Sequence, residues 1–468
     1  MKPTLFFHVR RIFQPVVFLG LFVSYAGVPI IHAEYVIEKT LHEFFPANSQ
    51  PAHPAAQLIQ GQDGAFYGTT RTGGIDLSGT VFRLTPSGGL IVLASFGGTN
   101  GANPSGGLVQ NSDGVLYGTT SYGTNPPFDS GAIFEITTNG VLTKLFYFSG
   151  TNGSNPSGPL ASRADVFYGT TRNGGSNGFG TVFKYSPNEL QPFKLLHSFD
   201  GTNDGCYPSA GVTSASDGNF YGMTPFGGNG FTDFSGNGTV FRIGTNGNFT
   251  SLVSFDSNYV GSFKSRFTLG TDGQLYGVAG KQIFRMTTNG VLTPLAAFNG
   301  TNGIRSSGGV TEGKDGNFYG ITSYHTDGEN LGYGTIYKMT TNGELSTIFY
   351  FNGTFAANPF GTFVLASDGN LYAAVADEQA NLTLNGNAGS IFRLVEPPNL
   401  SANILGNNMV LTWTTFTGGN YRLEKKYSLD STDWMPVGLD FTAGGSSISY
   451  ANLTVEGTQE FYRTVLLP

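Results

Sequence analysis

The residues with the clearest potential for acid–base chemistry are His325, Asp327 and Glu329, which lie within five positions of one another. An imidazole beside two carboxylates can accept and donate protons near neutral pH. The sequence contains no HExxH, GxSxG, phosphate-loop or zinc-ligand spacing that would support this cluster. The sequence therefore predicts no catalytic site, and these three residues are kept only as candidates should the protein be an enzyme. It predicts neither a metal nor a cofactor.

A further group of residues has the chemistry of a sugar-binding surface, because aromatic rings stack on sugars and polar groups orient their hydroxyls. These residues lie in polar stretches whose lengths vary along the chain. The same composition also suits a loop surface that contacts only water. The candidates for ligand binding are Asp76, Tyr122, Phe128, Asp129, Phe231, Asp233, Tyr324, Tyr333 and Asp377.

The polar stretches separate copies of one repeated unit of about fifty residues. Its first anchor is a tyrosine in a motif close to Asp-Gly-x-(Phe/Leu)-Tyr-Gly, and its second is an aromatic residue further along. Seven registered copies of both anchors indicate a repeat architecture. The tyrosines are Tyr67, Tyr117, Tyr168, Tyr221, Tyr276, Tyr319 and Tyr372, and the second anchors are Phe82, Phe134, Phe183, Phe241, Phe284, Tyr337 and Phe392.

Each unit divides into four short strands. Asp-Gly, as in Asp63-Gly64, joins the first two strands, and Asn-Gly, as in Asn139-Gly140, joins the last two. Both dipeptides favour two-residue hairpin turns, and Ala164-Asp165 replaces the first of them in the third repeat. Four antiparallel strands per unit are typical of a β-propeller blade. The predicted fold is therefore all-β, with a seven-bladed β-propeller.

The two ends of the repeat region predict how the ring closes. The last repeat ends after its third strand at Pro397-Pro398, whereas the N-terminal segment 35–44 matches a fourth strand. We expect this segment to complete the last blade. The tight turns then lie on one face of the propeller, and the variable loops lie on the other, which we call the variable face. Binding residues collect on loops held by a rigid scaffold, so the variable face is the candidate site.

Residues outside the repeats predict the compartment and a second domain. Residues 1–33 resemble a secretory signal, with a basic start and a short apolar core. Residues 35–395 form the predicted propeller, and residues 399–468 form a small β-sandwich of immunoglobulin or fibronectin type. Cys206 is the only cysteine, so an internal disulfide is impossible. The net charge of −7 argues against nucleic acid as a partner.

The repeated unit resembles the GloVer tandem repeat of exported bacterial proteins. The residues that carry the resemblance are 113–120, 148–153 and 180–184, and the resemblance covers about residues 40–395. It implies a secreted or surface repeat protein without a defined catalytic site.

These observations favour a secreted or cell-surface, non-catalytic protein that binds a polysaccharide or a surface protein through the variable face. We expect a monomer with no transmembrane segment once the signal is removed. An extracellular lyase or glycosidase with its site at the propeller axis is an alternative. A structural surface component without a discrete ligand is another.

Overall fold

The computed structural model divides the chain into two compact units, Thr40–Arg393 and a second unit that holds Leu394–Pro468 with the N-terminal residues up to Lys39. The structure describes residues 36–45, 50–54, 57–97, 100–104, 106–123, 130–228, 236–259, 265–306, 308–326, 331–351, 359–377, 388–395, 400–405, 408–414, 420–426, 435–442, 444, 447–454 and 461–467. Among these residues, no helix is long and apolar enough to cross a membrane.

In the described part of the repeat region, the strands form seven antiparallel sheets, one for each repeat. The first strand of most sheets consists of two short segments, and one 3-10 turn lies at Ser257–Tyr259. The strands of the first four repeats are β1 (Val36–Phe44), β2 (Ala52–Pro54), β3 (Ile59–Gln60), β4 (Phe66–Thr72), β5 (Thr80–Leu84), β6 (Leu90–Ser95), β7 (Ala102–Pro104), β8 (Val109–Gln110), β9 (Leu116–Tyr122), β10 (Ala132–Ile136), β11 (Leu142–Tyr147), β12 (Ser154–Pro156), β13 (Ala161–Arg163), β14 (Val166–Asn173), β15 (Thr181–Tyr185), β16 (Phe193–Ser198), β17 (Val212–Ser214), β18 (Phe220–Thr224), β19 (Thr239–Ile243) and β20 (Phe249–Ser254), with β1 belonging to the last sheet. The strands of the last three repeats are β21 (Thr268–Leu269), β22 (Leu275–Ala279), β23 (Gln282–Met286), β24 (Leu292–Ala297), β25 (Ile304–Ser306), β26 (Thr311–Glu312), β27 (Phe318–Thr326), β28 (Leu331–Gly332), β29 (Thr335–Met339), β30 (Leu345–Tyr350), β31 (Pro359–Phe360), β32 (Phe363–Leu365), β33 (Leu371–Asp377) and β34 (Gly389–Val395).

The order of strands within each sheet follows the chain, except in the last one. The first repeat runs β2-β4-β5-β6 with β3 beside β4, whereas the last sheet runs β1-β34-β33-β31 with β32 beside β33. β1 therefore takes the position that the fourth strand occupies in the other repeats, as we expect from its sequence. Leu41 and Phe44 of β1 are buried.

The Tyr-Gly dipeptide is explained by packing within each sheet. Gly68 faces Phe82 on the next strand, and a Cβ placed on Gly68 would lie 2.5 Å from the ring of Phe82. Only a residue without a side chain allows the ring to lie so close to the backbone. The same contact recurs at Gly118, Gly169, Gly222, Gly277 and Gly320.

The tight turns differ from the expected two-residue hairpins. Gly64 has a positive φ of 77°, and its N–H donates to Gly61 O at 2.9 Å, so the loop holds three residues. Asp63 does not have a positive φ, and its Oδ1 accepts a hydrogen bond from Ala65 N at 3.1 Å. The expected two-residue turn occurs in the repeat without Asp-Gly, where Ala164 and Asp165 have φ of 50° and 57°.

Successive sheets contact one another through a glycine and a proline. A Cβ on Gly79, before β5, would lie 2.7 Å from Pro104 Cδ of the second repeat. Gly389 of the last repeat has the same relation to Pro54 of the first, at 2.7 Å. The contact between the last and first repeats is thus of the same kind as the contacts between consecutive repeats. The remaining pairs with this contact are Gly131 with Pro156, Gly180 with Pro208, and Gly334 with Pro359.

Aromatic stacking repeats in the same way between sheets. Tyr117 stacks on Phe167 of the next repeat with ring centroids 4.2 Å apart. Tyr372 of the last repeat packs on Phe66 of the first, also at 4.2 Å. Gln57 Nε2 of the first repeat adds a hydrogen bond of 2.7 Å to the carbonyl of Phe363.

Buried threonine hydroxyls pair across neighbouring strands. Thr70 and Thr80 share a hydrogen bond of 2.7 Å. In the second repeat, Ala132 stands opposite Thr120, and the Thr120 hydroxyl is buried without a partner. The pair recurs as Thr171 with Thr181, Thr224 with Thr239, and Thr322 with Thr335.

The C-terminal unit contains two antiparallel sheets, with strand orders β35-β36-β40 and β38-β37-β39, where β41 also pairs with β37. Leu411, Tyr421 and Leu423 are buried in this unit. Arg422 Nε and Asp440 Oδ1 form an ion pair of 2.7 Å. Its strands are β35 (Leu400–Leu405), β36 (Asn408–Thr414), β37 (Asn420–Lys426), β38 (Met435–Pro436), β39 (Phe441–Thr442), β40 (Ser447–Thr454) and β41 (Phe461–Leu467).

Candidate functional site

A cavity of about 1010 Å³ lies where the first strands of the seven repeats meet. We call it the central cavity. Each repeat contributes to its wall, from Ile59 and Gln60 in the first to Phe360 and Thr362 in the last. Amides and hydroxyls dominate the polar part of the wall. These polar residues are Gln57, Gln60, Gln62, Gln110, Ser157, Ser162, Ser209, Thr213, Ser214, Ser265, Thr268, Thr311 and Thr362.

The charged side chains of this wall are all cationic. Among the described residues that line the cavity, Arg71, Arg172 and Arg266 are the charged ones, and none is an aspartate or a glutamate. Arg71 and Arg172 are exposed and lie near the ends of β4 and β14, where the loops of the variable face begin. The cavity therefore extends to the strand ends at which the loops of the variable face begin, which we call the root of the variable face.

Arg266 lies on the cavity wall immediately before β21. It precedes the apolar residue Phe267, at the position that Gln57, Gly107 and Gly211 occupy before the corresponding apolar residue of their own repeats. Burial lowers the pKa of its guanidinium. No hydrogen bond or ion pair to this guanidinium is found among the described residues.

The described part of the variable face contains only some of the predicted ligand-binding residues. Asp76 and Tyr122 are exposed, with Tyr122 retaining 45% of its accessible surface. Tyr324 and Tyr333 are half-buried, and Asp377 is the last residue of β33. Phe128, Asp129, Phe231 and Asp233 lie outside the described residues. None of the five described residues, Asp76, Tyr122, Tyr324, Tyr333 and Asp377, lines the central cavity.

His325 lies in strand β27 and not in a loop as the sequence suggested. β27 extends to Thr326 because it pairs with β28 as a short hairpin, with His325 opposite Gly332. The His325 ring is buried, its Nδ1 accepts a hydrogen bond from Gly334 N at 3.2 Å, and its centroid lies 5.0 Å from that of Tyr350. Asp327 and Glu329 lie outside the described residues. The contacts of His325 are those of a residue that stabilises its sheet.

The repeated Asp-Gly aspartates also have a structural role. Asp63 Oδ2 accepts hydrogen bonds from Tyr67 Oη at 2.9 Å and from Arg83 at 2.8 Å. Arg83 belongs to a row of basic residues that the sequence suggests is solvent-facing, but here it is paired. Asp315 repeats the arrangement with Tyr319 at 2.7 Å and Lys338 at 3.0 Å.

The pKa values of these groups follow from the same contacts. Burial alone would raise the pKa of Asp315, but hydrogen bonds from Asn317, Tyr319 and Lys338 outweigh it and lower the value to about 2. Burial raises the pKa of Tyr276 to about 12, helped by its hydrogen bond to Asp272. Over a wide pH range, the first shift therefore keeps the Asp315 carboxylate ionised and the second keeps the Tyr276 phenol neutral.

Two other chemically reactive groups, Cys206 and Asp204, lie in the segment between β16 and β17. Cys206 is buried, and this burial raises the pKa of its thiol to about 12. Asp204 Oδ2 lies 2.8 Å from His197 Nε2 and also accepts from Asp200 N at 3.0 Å. No group of three or more His, Cys, Asp or Glu within the described ranges is arranged to hold a metal ion.

The fold and the cavity define an all-β, propeller-like repeat protein with a polar centre. The chain belongs to the Gloeobacter/Verrucomicrobia repeat family, whose model matches residues 53–282 and 193–392. This match agrees with the resemblance carried by the repeated unit. No curated protein matches the sequence.

Several solved structures are similar to this chain at low sequence identity. The extracellular domain assigned to a hybrid two-component system, BT4673 of B. thetaiotaomicron, is similar with a TM-score of 0.51 and 10% identity, over 91% of this chain and 56% of that one. The corresponding domain of BT3049 from the same organism gives a TM-score of 0.48 and 11% identity, over 87% and 53%. The chain thus spans about half the length of these relatives. A gluconolactonase of Xanthomonas campestris gives a TM-score of 0.41 and 10% identity, over 82% and 98%.

Proposed function

We propose that this protein is an exported, non-catalytic binding protein whose ligand, a glycan or a glycan-bearing surface protein, enters the central cavity from the variable face. The observation that carries the proposal is the cavity of about 1010 Å³, which side chains from all seven repeats line. Pockets that bind drug-sized ligands have volumes of roughly 300–1,000 Å³, so the space is sufficient.

The proposed architecture is a seven-bladed propeller closed by β1, followed by a small β-sandwich in residues 399–468. The repeated contact between Gly389 and Pro54 supports the closed ring, because it is the same contact that links consecutive repeats. The two antiparallel sheets of the C-terminal unit support the sandwich. We assign this unit to spacing or attachment.

Export is supported by two independent observations. Residues 1–33 have the charge and hydropathy pattern of a secretory signal. The fold is shared with an extracellular domain at a TM-score of 0.51.

The binding function is tested by filling the cavity. Ser162 lines it, so Ser162→Trp places an indole in the space, whereas Thr143→Trp adds the same group to an exposed position on β11. A glycan-array screen of the full mature chain first identifies a ligand. We expect Ser162→Trp to weaken the binding of that ligand by about tenfold or more, which corresponds to about 1.4 kcal/mol of binding free energy. Thr143→Trp should leave the affinity for the ligand unchanged. A screen without a ligand, or equal affinity in both variants, would contradict the proposal.

A further inference from the structure

The charge of the central cavity is opposite to the charge of the chain. The chain has 31 acidic and 24 basic residues, yet the charged residues described on the cavity wall are three arginines. A low-dielectric wall with charges of one sign concentrates counter-ions inside it. The cavity is therefore electrostatically suited to an anion, although the protein as a whole repels anions.

Arg266 is a cation that the repeat itself does not need. The other six repeats place Gln57, Gly107, Pro159, Gly211, Gly309 or Thr362 at this position, and none of these is charged. Arg266 is half-buried, and removing a guanidinium from water costs free energy unless the charge is paired. The described residues supply neither an ion pair nor a hydrogen bond to it. An anionic ligand would provide a partner that the described residues do not.

The neighbours of Arg266 on the wall suit a sugar. Ser265 lies next to it and Ser214 comes from the adjacent repeat. The hydroxyls of Thr213 and Thr268 also line the wall, but they donate to the carbonyls of Phe267 and Val310 and can only accept from a ligand. Hydroxyls of this kind exchange hydrogen bonds with the hydroxyls of a saccharide. A planar guanidinium binds a carboxylate or a sulfate through two parallel hydrogen bonds.

We propose that the central cavity binds an acidic saccharide whose carboxylate or sulfate pairs with Arg266, while Arg71 and Arg172 attract the ligand at the root of the variable face. This proposal rests on the binding function proposed above and adds the class of the ligand. It differs from the loop-based site suggested by the sequence, because its charged residues come from the inner wall.

The test compares an acid with its neutral counterpart. Trigalacturonate and its trimethyl ester share one backbone and differ in charge, and a sulfated disaccharide with its desulfated form tests the second anion. Each is titrated by calorimetry into the mature full chain and into Arg266→Gln. Lys194→Gln is the matched control, since it removes one positive charge from an exposed position on β16.

We expect at least one acidic saccharide to bind more tightly than its neutral form. Arg266→Gln should weaken the binding of that saccharide by about ten- to hundredfold, which is the loss expected for one charge-assisted hydrogen bond. The neutral form and Lys194→Gln should keep wild-type values. The preferred anion, carboxylate or sulfate, is identified by which acid binds more tightly than its neutral form and loses affinity in Arg266→Gln. If neither acid exceeds its neutral form, or if Arg266→Gln binds the acid normally, the inference is wrong. The proposed binding function would still be supported in that case if Ser162→Trp no longer binds a ligand that the glycan-array screen identified.

A stability measurement distinguishes this role from a structural one. If Arg266 serves a ligand, Arg266→Gln in the absence of ligand should melt at or above the temperature of the wild type, because it removes a half-buried cation that has no partner among the described residues. A fall of several degrees would assign the residue to the framework and overturn the inference.

Discussion

The N-terminal strand β1 pairs with β34 of the last repeat and buries the aromatic side chain of Phe44, so truncating this side chain tests the proposed closure of the ring. Phe44 retains 1% of its accessible surface and lies in a cluster with Leu58 and Phe82 of the first repeat and with Tyr372 and Ile391 of the last. Phe44→Ala should remove these contacts while leaving the strand in place.

The size of the effect follows from burial. Truncating a fully buried phenylalanine to alanine costs about 3–5 kcal/mol, because the transfer free energy of the ring is lost and a cavity remains. The ring centroid of Phe44 lies 5.7 Å from that of Phe82, and its carbonyl accepts from Ala388 N at 2.7 Å. The substitution keeps the backbone bond, so we expect the lost side-chain packing to account for the effect.

Phe45 provides the matched control within the same segment. It retains 44% of its surface, so Phe45→Ala makes the same chemical change with an expected cost within about 0.5 kcal/mol. Urea unfolding should be followed by circular dichroism, because both tryptophans, Trp413 and Trp434, belong to the C-terminal unit and would report that unit. Equal midpoints for the two variants would refute the closure of the ring by β1.

Two further substitutions test the internal chemistry of the sheets. Ala132→Thr should raise the free energy of unfolding by about 1 kcal/mol, the net value of one hydrogen bond, because it gives the orphan Thr120 hydroxyl the partner found in four other repeats. Ala132→Val, with the same added volume but no hydroxyl, should not raise it, and equal urea midpoints for the two would contradict the reasoning. Asp315 has a folded pKa of about 2 against an ordinary 3.8, so its ionised form stabilises the fold above pH 3.8 and this contribution is lost as the pH falls towards 2. The wild type should therefore lose about 2 kcal/mol more than Asp315→Asn across that interval in acid unfolding monitored by circular dichroism, and parallel pH profiles would show that Asp315 is not the group responsible.

The repeated units could be predicted because their anchors carry a direct physical reason. Gly68 admits the ring of Phe82, and the same pair of positions marks most repeats. The predicted turn type was wrong because Asp-Gly occurs both in two-residue hairpin turns and in three-residue hairpin loops. Its glycine takes a positive φ in both, but here Asp63 accepts hydrogen bonds from Ala65 and Tyr67, which fix it in a longer loop. A dipeptide signal alone does not include that second partner.

The site was harder to predict because its residues are distant in sequence and modest in type. Loops rich in aromatic and acidic residues drew attention to the variable face, while serines, glutamines and single arginines on short strands did not. His325 was expected in a loop, but it lies in strand β27 and accepts a hydrogen bond from Gly334 N, so the structure corrects its position. Its role in catalysis stays a prediction.

A repeat protein offers a better signal than composition. Residues near the first strands of all seven repeats line one cavity, so a residue there shares that space with residues from every other repeat. Selection for folding alone would favour similar small or neutral residues at all of them. A charge at one copy, as at Arg266, adds a burial cost that the framework does not require. In this cavity, a residue that differs from its equivalents in the other repeats is therefore a better indication of function than a residue that all repeats share.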